Sequence, residues 1–191
     1  MNSERCDAIT KAAEVFAPMG RAVFATQQGI HVETIVVSVS QMAGAMLYRN
    51  FGFANDVKPG TAVISEQANI AGPQLVNVML GALKLLGHNV TDASMRGQVV
   101  STKLSQYSLL ETQARLDPFV ATYCRVAPMT FADAAQALSI ATALTIHECR
   151  QVLEVHRAAA LAVHGIVEGC KAAPLPFGDP ARNIGAAPAP H

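Results

Sequence analysis

Residues 147–170 hold the densest collection of side chains able to do chemistry: His147, Glu148, Cys149, Glu154, His156, His164, Glu168 and Cys170. Imidazole, carboxylate and thiol groups can move protons, hold a ligand or bind a metal, provided the chain brings them together. If the segment winds as one helix, Glu148, Val152, Val155 and Ala159 recur at spacings of four, three and four. Cys149, His156, Val163 and Cys170 recur every seven residues on the adjoining stripe. Both stripes are otherwise apolar, which predicts that Glu148 and His156 are buried on the inward face. Burial of an ionisable group is costly without a partner, and it shifts the pKa toward values useful for acid–base work. Glu148, His156 and Cys149 are therefore the candidate ligand-binding residues, and no catalytic set or metal set can be named. Cys149 and His156 lie about 10 Å apart along such a helix, too far for a direct thiolate–imidazole pair.

Two competing metal readings are weaker. His164 and Glu168 share a face, but Arg150, Glu154, Arg157 and Lys171 line up on it too, and alternating charge predicts a solvated, ion-paired surface. A di-metal centre would draw on Glu33, Glu66 and Glu-x-x-His motifs, and the chain contains no Glu-x-x-His. His31 and Glu33 read better as helix-end residues.

The elements that must position these groups read as helices. Residues 3–17 form an amphipathic helix capped by Ser3 and ended by Pro18–Gly20. Residues 31–50 read as a buried helix with Ile35, Val39, Met42 and Met46 on one face; the strand-like run at 21–26 and the alternation at 35–39 keep a hairpin over 21–39 open as an alternative. Residues 52–60 form a loop, with Asn55–Asp56 and Pro59–Gly60 as turns, and 61–64 a short strand. Ser65 caps a helix to Leu86 that Pro73 kinks or begins, and Gly87 stops it. A polar connection spans 88–103. The next helix, 105–126, should break or bend sharply at Asp117–Pro118. Thr130 and Asp133 resemble a capping box. No glycine or proline follows until Gly165, and a single helix over 131–172 would be about 63 Å long, against a radius of gyration of about 16 Å for a compact domain of this size. Whether that stretch is one helix or two stays open. The fold class is thus all-α, an irregular bundle of about six helices over residues 1–172, followed by a Pro/Ala-rich tail over 173–191.

Composition narrows the function classes. Fourteen basic and fourteen acidic side chains balance, so there is no electrostatic footprint for nucleic acid or an anionic membrane. A helix-turn-helix resemblance at 133–153 offers only Arg150 as a base. The longest uncharged helical stretch is too short to cross a bilayer. Phosphate-loop, dinucleotide and nucleophile-elbow patterns are missing. The four cysteines, Cys6, Cys124, Cys149 and Cys170, lack Cys-x-x-Cys spacing, and the first residues do not read as an export signal; reduced thiols in the cytoplasm are expected. Only 15% of the residues are charged, against about 25% in ordinary domains. That predicts self-association, as a homodimer or larger, to cover apolar surface. The expected function is a cytoplasmic, homo-oligomeric interaction or small-ligand-binding helical module, with a small molecule as the ligand and no cofactor identified. The alternative is an enzyme, with or without a metal's assistance, using buried Glu148 and His156.

Overall fold

The computed structural model describes residues 3–27, 29–53, 57–98 and 105–177. The expected turn at Asn55–Asp56, the end of the 88–103 connection and the tail from 178 onward lie outside them. The described chain folds into seven helices: α1 (Ser3–Phe24), α2 (Val32–Asn50), α3 (Glu66–Leu85), α4 (Asp92–Met95), α5 (Leu109–Val126), α6 (Phe131–Cys149) and α7 (Val155–Lys171). The architecture is all-α.

The helix at 32–50 is the centre of the bundle. From Thr34 to Tyr48 every residue of α2 is buried, because α6 and α7 pack along it, α5 and α3 complete the enclosure, and α1 lies against α6. A helix covered on all sides shows no clean polar face, which is why its sequence carries both strand-like and helix-like patterns. Among the described residues no hairpin forms over 21–39: the strand-like run at 21–24 is instead the last turn of α1, 32–39 open α2, and a single bridge joins Thr26 to Gly29.

Close approach at the centre depends on small residues. A Cβ added to Gly165 would lie 2.1 Å from Ser40 Oγ, and one added to Gly169 would lie 2.2 Å from the Gln41 carbonyl oxygen. Gly44 faces them from α2: its added Cβ would fall 2.3 Å from the Ile166 carbonyl. The backbones of α2 and α7 therefore touch directly. Alanine, serine and threonine play the same part on α6, where Ser139 donates to the Leu75 carbonyl at 2.8 Å and ties α6 to α3.

Two prolines expected to end or break helices, Pro18 and Pro118, do not, and Pro73 lies within α3 rather than at its start. Pro18, Pro73 and Pro118 all lie inside continuous helices, so α1 runs on to Phe24 and α5 runs unbroken through Asp117–Pro118. A proline removes one ladder hydrogen bond and crowds one carbonyl, about 3 kcal/mol, and the tertiary burial of the flanking turns outweighs that. The break that does occur lies at 150–154, with no proline or glycine. Arg150 Nη1 donates to the His147 carbonyl at 2.7 Å and closes α6, while the Glu154 carboxylate accepts from the N–H groups of His156 (3.0 Å) and Arg157 (2.8 Å) and opens α7. Paired caps, rather than a breaker, divide the segment into two helices.

Other local signals behave as their chemistry requires. Ser65 and Thr130 accept hydrogen bonds from the N–H groups of Ala68 and Asp133. Gly87, with φ of 89°, turns the chain after α3, and His88 N–H reaches back to the Leu83 carbonyl at 2.9 Å. The stretch at 60–63 pairs with 171–173 in a single antiparallel bridge, Ala62 to Ala172.

Candidate functional site

The predicted cluster at 148–156 does not form a buried site. Glu148 is the penultimate residue of α6, is exposed, and forms an ion pair with Arg21 of α1. His156 is the second residue of α7, half-exposed, with Nε2 3.8 Å from Glu154 Oε1. The expectation that both are buried on one inward face is therefore corrected. It assumed helical phase through 147–156, and the turn at 150–154 resets that phase. Cys149 is half-buried near Arg21, and burial pushes its thiol pKa up, the opposite of what a nucleophile needs. The structure brings Glu148 and Cys149 beside Arg21 but leaves His156 facing Glu154.

The neighbouring charges also pair differently from the expected along-helix pattern. Arg157 binds Glu33 of α2 at 2.7 Å, and Gln41 donates to Glu168 at 2.8 Å. His31 caps α2, its Nδ1 accepting from the Thr34 N–H. Glu66 opens α3 and is exposed. Among the described residues no group of three or more His, Cys, Asp or Glu side chains could hold a metal ion, and no helix is long and apolar enough to cross a membrane.

The concentrated chemistry lies at the other end of α2. Arg49 and Asp117 form a two-pronged ion pair with side chains 6% and 2% exposed. Arg49 Nη2 also donates to the Leu175 carbonyl at 3.0 Å, and the Leu175 N–H donates to Gln113 Oε1 at 2.7 Å. The guanidinium lies 4.8 Å from the centroid of the Phe177 ring, which in turn packs edge-on against Phe131. Residues 173–177 are thus strapped over the buried pair. Arg49 Nε and Gln113 Nε2 are sealed from solvent and have no hydrogen-bond partner among the described residues.

Burial pushes the Asp117 carboxyl up to about 6, against the pull of Arg49, which lowers it. Desolvation outweighing attraction is the ordinary outcome for a buried ion pair.

A cleft of about 690 Å³ opens beside this network. Tyr48, Phe53, Phe131 and Phe177 supply aromatic wall, Pro59, Pro174 and Pro176 supply rigid edges, and Arg49 is the one charged residue lining it among the described residues. The rings are locked to one another: Phe53 packs against Tyr48 at 5.0 Å and against Phe51 at 5.4 Å. A smaller cleft of about 500 Å³ between α1 and the α5–α6 turn is bordered by Arg5 and Asp133. Those two pair at 2.7 Å, as Arg49 and Asp117 do, but Asp133 also holds the start of α6 and aromatic wall is supplied by Tyr123 alone among the residues bordering this cleft.

Sequence reasoning missed Arg49 and Asp117, though a signal was present. The stripe Ile35, Val39, Met42, Met46 runs on to Arg49 at the next helical step. Asp117 sits on the buried face of α5 with Leu109, Gln113, Leu116 and Val120. Opposite charges continuing two apolar stripes are candidates for each other. Reading Asp117 as a helix cap before Pro118 hid that match.

No protein-family model, no curated protein and no solved structure matches this chain, so its function must be argued from this geometry.

Proposed function

We propose that the protein is a cytoplasmic, homo-oligomeric, small-ligand-binding helical module, and that its ligand site is the cleft beside Arg49. The observation that carries this reading is the cleft's lining among the described residues: rigid aromatic and proline walls around one buried cation. Sites for small molecules are concave, mostly apolar, and carry few polar groups to fix orientation; about 300–1,000 Å³ is their usual volume. The walls favour a flat apolar body. The guanidinium favours a carboxylate on that body that shares it with Asp117, because Arg is built for planar oxyanions. Free thiols at all four cysteines suit a reducing compartment.

The test is a titration with 1-naphthoate, followed by nuclear magnetic resonance of the aromatic and backbone signals. Binding should shift Phe53, Phe131 and Phe177 first. The neutral analogue 1-naphthalenemethanol should bind about tenfold or more weakly, since a lost charge-assisted contact is worth about 1.4 kcal/mol or more. Phe53→Ala, which leaves the ion pair intact, should weaken both. Absence of saturable shifts at the cleft, or equal affinity for acid and alcohol, overturns the reading.

A further inference from the structure

We infer that the outer face of α3 is the surface through which two copies of this chain pair, antiparallel and related by a two-fold axis. The inference rests on the self-association part of the proposed function and names its surface, register and partner.

Two side chains draw attention to α3. Leu85, its last residue, is 91% exposed, and Ile64, two residues before its start, is 90% exposed; they are the most exposed large apolar side chains among the described residues. Between them runs a helix about 30 Å long. Its inner face, Ala68, Leu75, Met79 and Leu83, is buried against α6 and α7. Its outer face, Ile70, Gln74, Asn77 and Gly81, recurs at spacings of four, three and four and is wholly exposed. From Gln67 to Leu83 the helix carries no charge at all. A solvated helix face normally carries several charges, so this one is suited to being covered.

The two charges α3 does carry decide what covers it. Glu66 opens the helix and Lys84 lies in its last turn, both exposed on the outer side. A second α3 laid antiparallel on the first puts Glu66 beside the partner's Lys84, and the two-fold axis makes that contact twice. The same register places Ile70 against the partner's Gly81 and Gln74 against the partner's Asn77. Around Gly81 an added Cβ would meet nothing within 4 Å, so the glycine leaves room for the Ile70 side chain. The register also brings Ile64 to the partner's Leu85, so each of the two most exposed apolar side chains covers the other. A parallel pairing would set Glu66 against Glu66 and Lys84 against Lys84. Charge therefore selects the antiparallel arrangement.

The full chain tests this by sedimentation equilibrium and crosslinking. Wild type should be a dimer at micromolar concentration. Leu85→Asp and Ile70→Asp should each raise the dimer dissociation constant about tenfold or more, with unchanged helical circular dichroism, since both positions are exposed. Glu66→Lys should weaken the dimer, and adding Lys84→Glu should restore it. A mixture of Gln67→Cys and Lys84→Cys chains should give a disulfide-linked pair under mild oxidation that wild type does not give. Gln67→Cys alone should not, because its copies would stand about 25 Å apart. A wild type that is monomeric overturns both the self-association reading and this inference. A dimer that survives Leu85→Asp and gives no Gln67–Lys84 crosslink overturns the inference alone.

Discussion

Arg49 of α2 and Asp117 of α5 meet as parallel prongs, Nη1 to Oδ1 at 3.1 Å and Nη2 to Oδ2 at 2.7 Å, inside a shell that leaves both almost wholly buried. They are 68 residues apart in sequence and join the centre of the bundle to its outer layer. The strap at 173–177 closes over them. Removing one member leaves the other charge stranded in low dielectric. Asp117→Asn is expected to cost about 3–5 kcal/mol of folding stability. The double variant Arg49→Met, Asp117→Leu should recover most of that loss, because two well-packed apolar groups avoid the desolvation altogether. Urea unfolding of the three proteins checks it; a double variant as unstable as Asp117→Asn would refute the account.

His88 Nε2 and His147 Nδ1 lie 2.8 Å apart, a distance at which one proton sits between two rings. Burial, Arg150 and His88 together hold the His147 pKa below its ordinary value. A base with a lowered folded value gives stability that is present above its unfolded value, about 6.5, and is lost as pH falls through the folded value. The wild type should therefore lose thermal stability below about pH 6.5 relative to His88→Gln. Asp117 acts the other way: its raised carboxyl contributes stability present below its unfolded value and lost as pH rises through about 6. Comparing the melting midpoints of wild type and variant across that range isolates the histidine contribution. A constant difference between the two would show that the rings do not share a proton.

The contact between α7 and α2 leaves no room for a side chain at Gly165 of α7 or at Gly44 of α2. Gly165→Ala would drive a methyl into Ser40 Oγ and the Val37 carbonyl, and Gly44→Ala would drive one into the Ile166 carbonyl. Backbone cannot step aside as a flexible side chain can, so each should destabilise by about 1–3 kcal/mol or more despite alanine's better helix propensity. Gly81→Ala, in open space on α3, should instead be neutral or stabilising by up to about 1 kcal/mol. Chemical denaturation of the three variants, with the Gly81 variant measured at a concentration that keeps it monomeric, checks the contrast. Equal effects at all three would mean that propensity rather than packing governs these sites.

How much of this was legible from the chain depended on how local each signal was. Ser65, Thr130 and Gly87 act through atoms a few residues away, so their roles follow from residue type and spacing. The buried helix at 32–50 was legible from length alone. Pro18 and Pro118 were misread because a proline's local cost is fixed, while the burial that outweighs it comes from helices distant in sequence. The turn at 150–154 was the reverse case: Arg150 and Glu154 read as members of a charged stripe, yet each is a cap. That one turn undid the phase argument for Glu148 and His156. Arg49 and Asp117 each stood on an apolar stripe, but nothing local says which buried charge answers which.

The cleft beside Arg49 should bind a carboxylate ligand more tightly as the pH falls. At pH 7.5 the guanidinium is neutralised by ionised Asp117, and an incoming carboxylate must share it. Near pH 6, where burial holds the Asp117 carboxyl half-protonated, Arg49 retains charge that the ligand can answer. An aromatic carboxylate such as 1-naphthoate, with an ordinary pKa near 4, stays ionised across this range. Its affinity should therefore rise between pH 7.5 and 6, accompanied by uptake of a proton at Asp117. The neutral alcohol should show no such rise, because it brings no charge for the freed guanidinium. Calorimetric titration in two buffers of different ionisation enthalpy measures the proton directly. Affinity that is flat with pH, or proton release in place of uptake, would mean that the ligand does not draw on the Arg49–Asp117 pair.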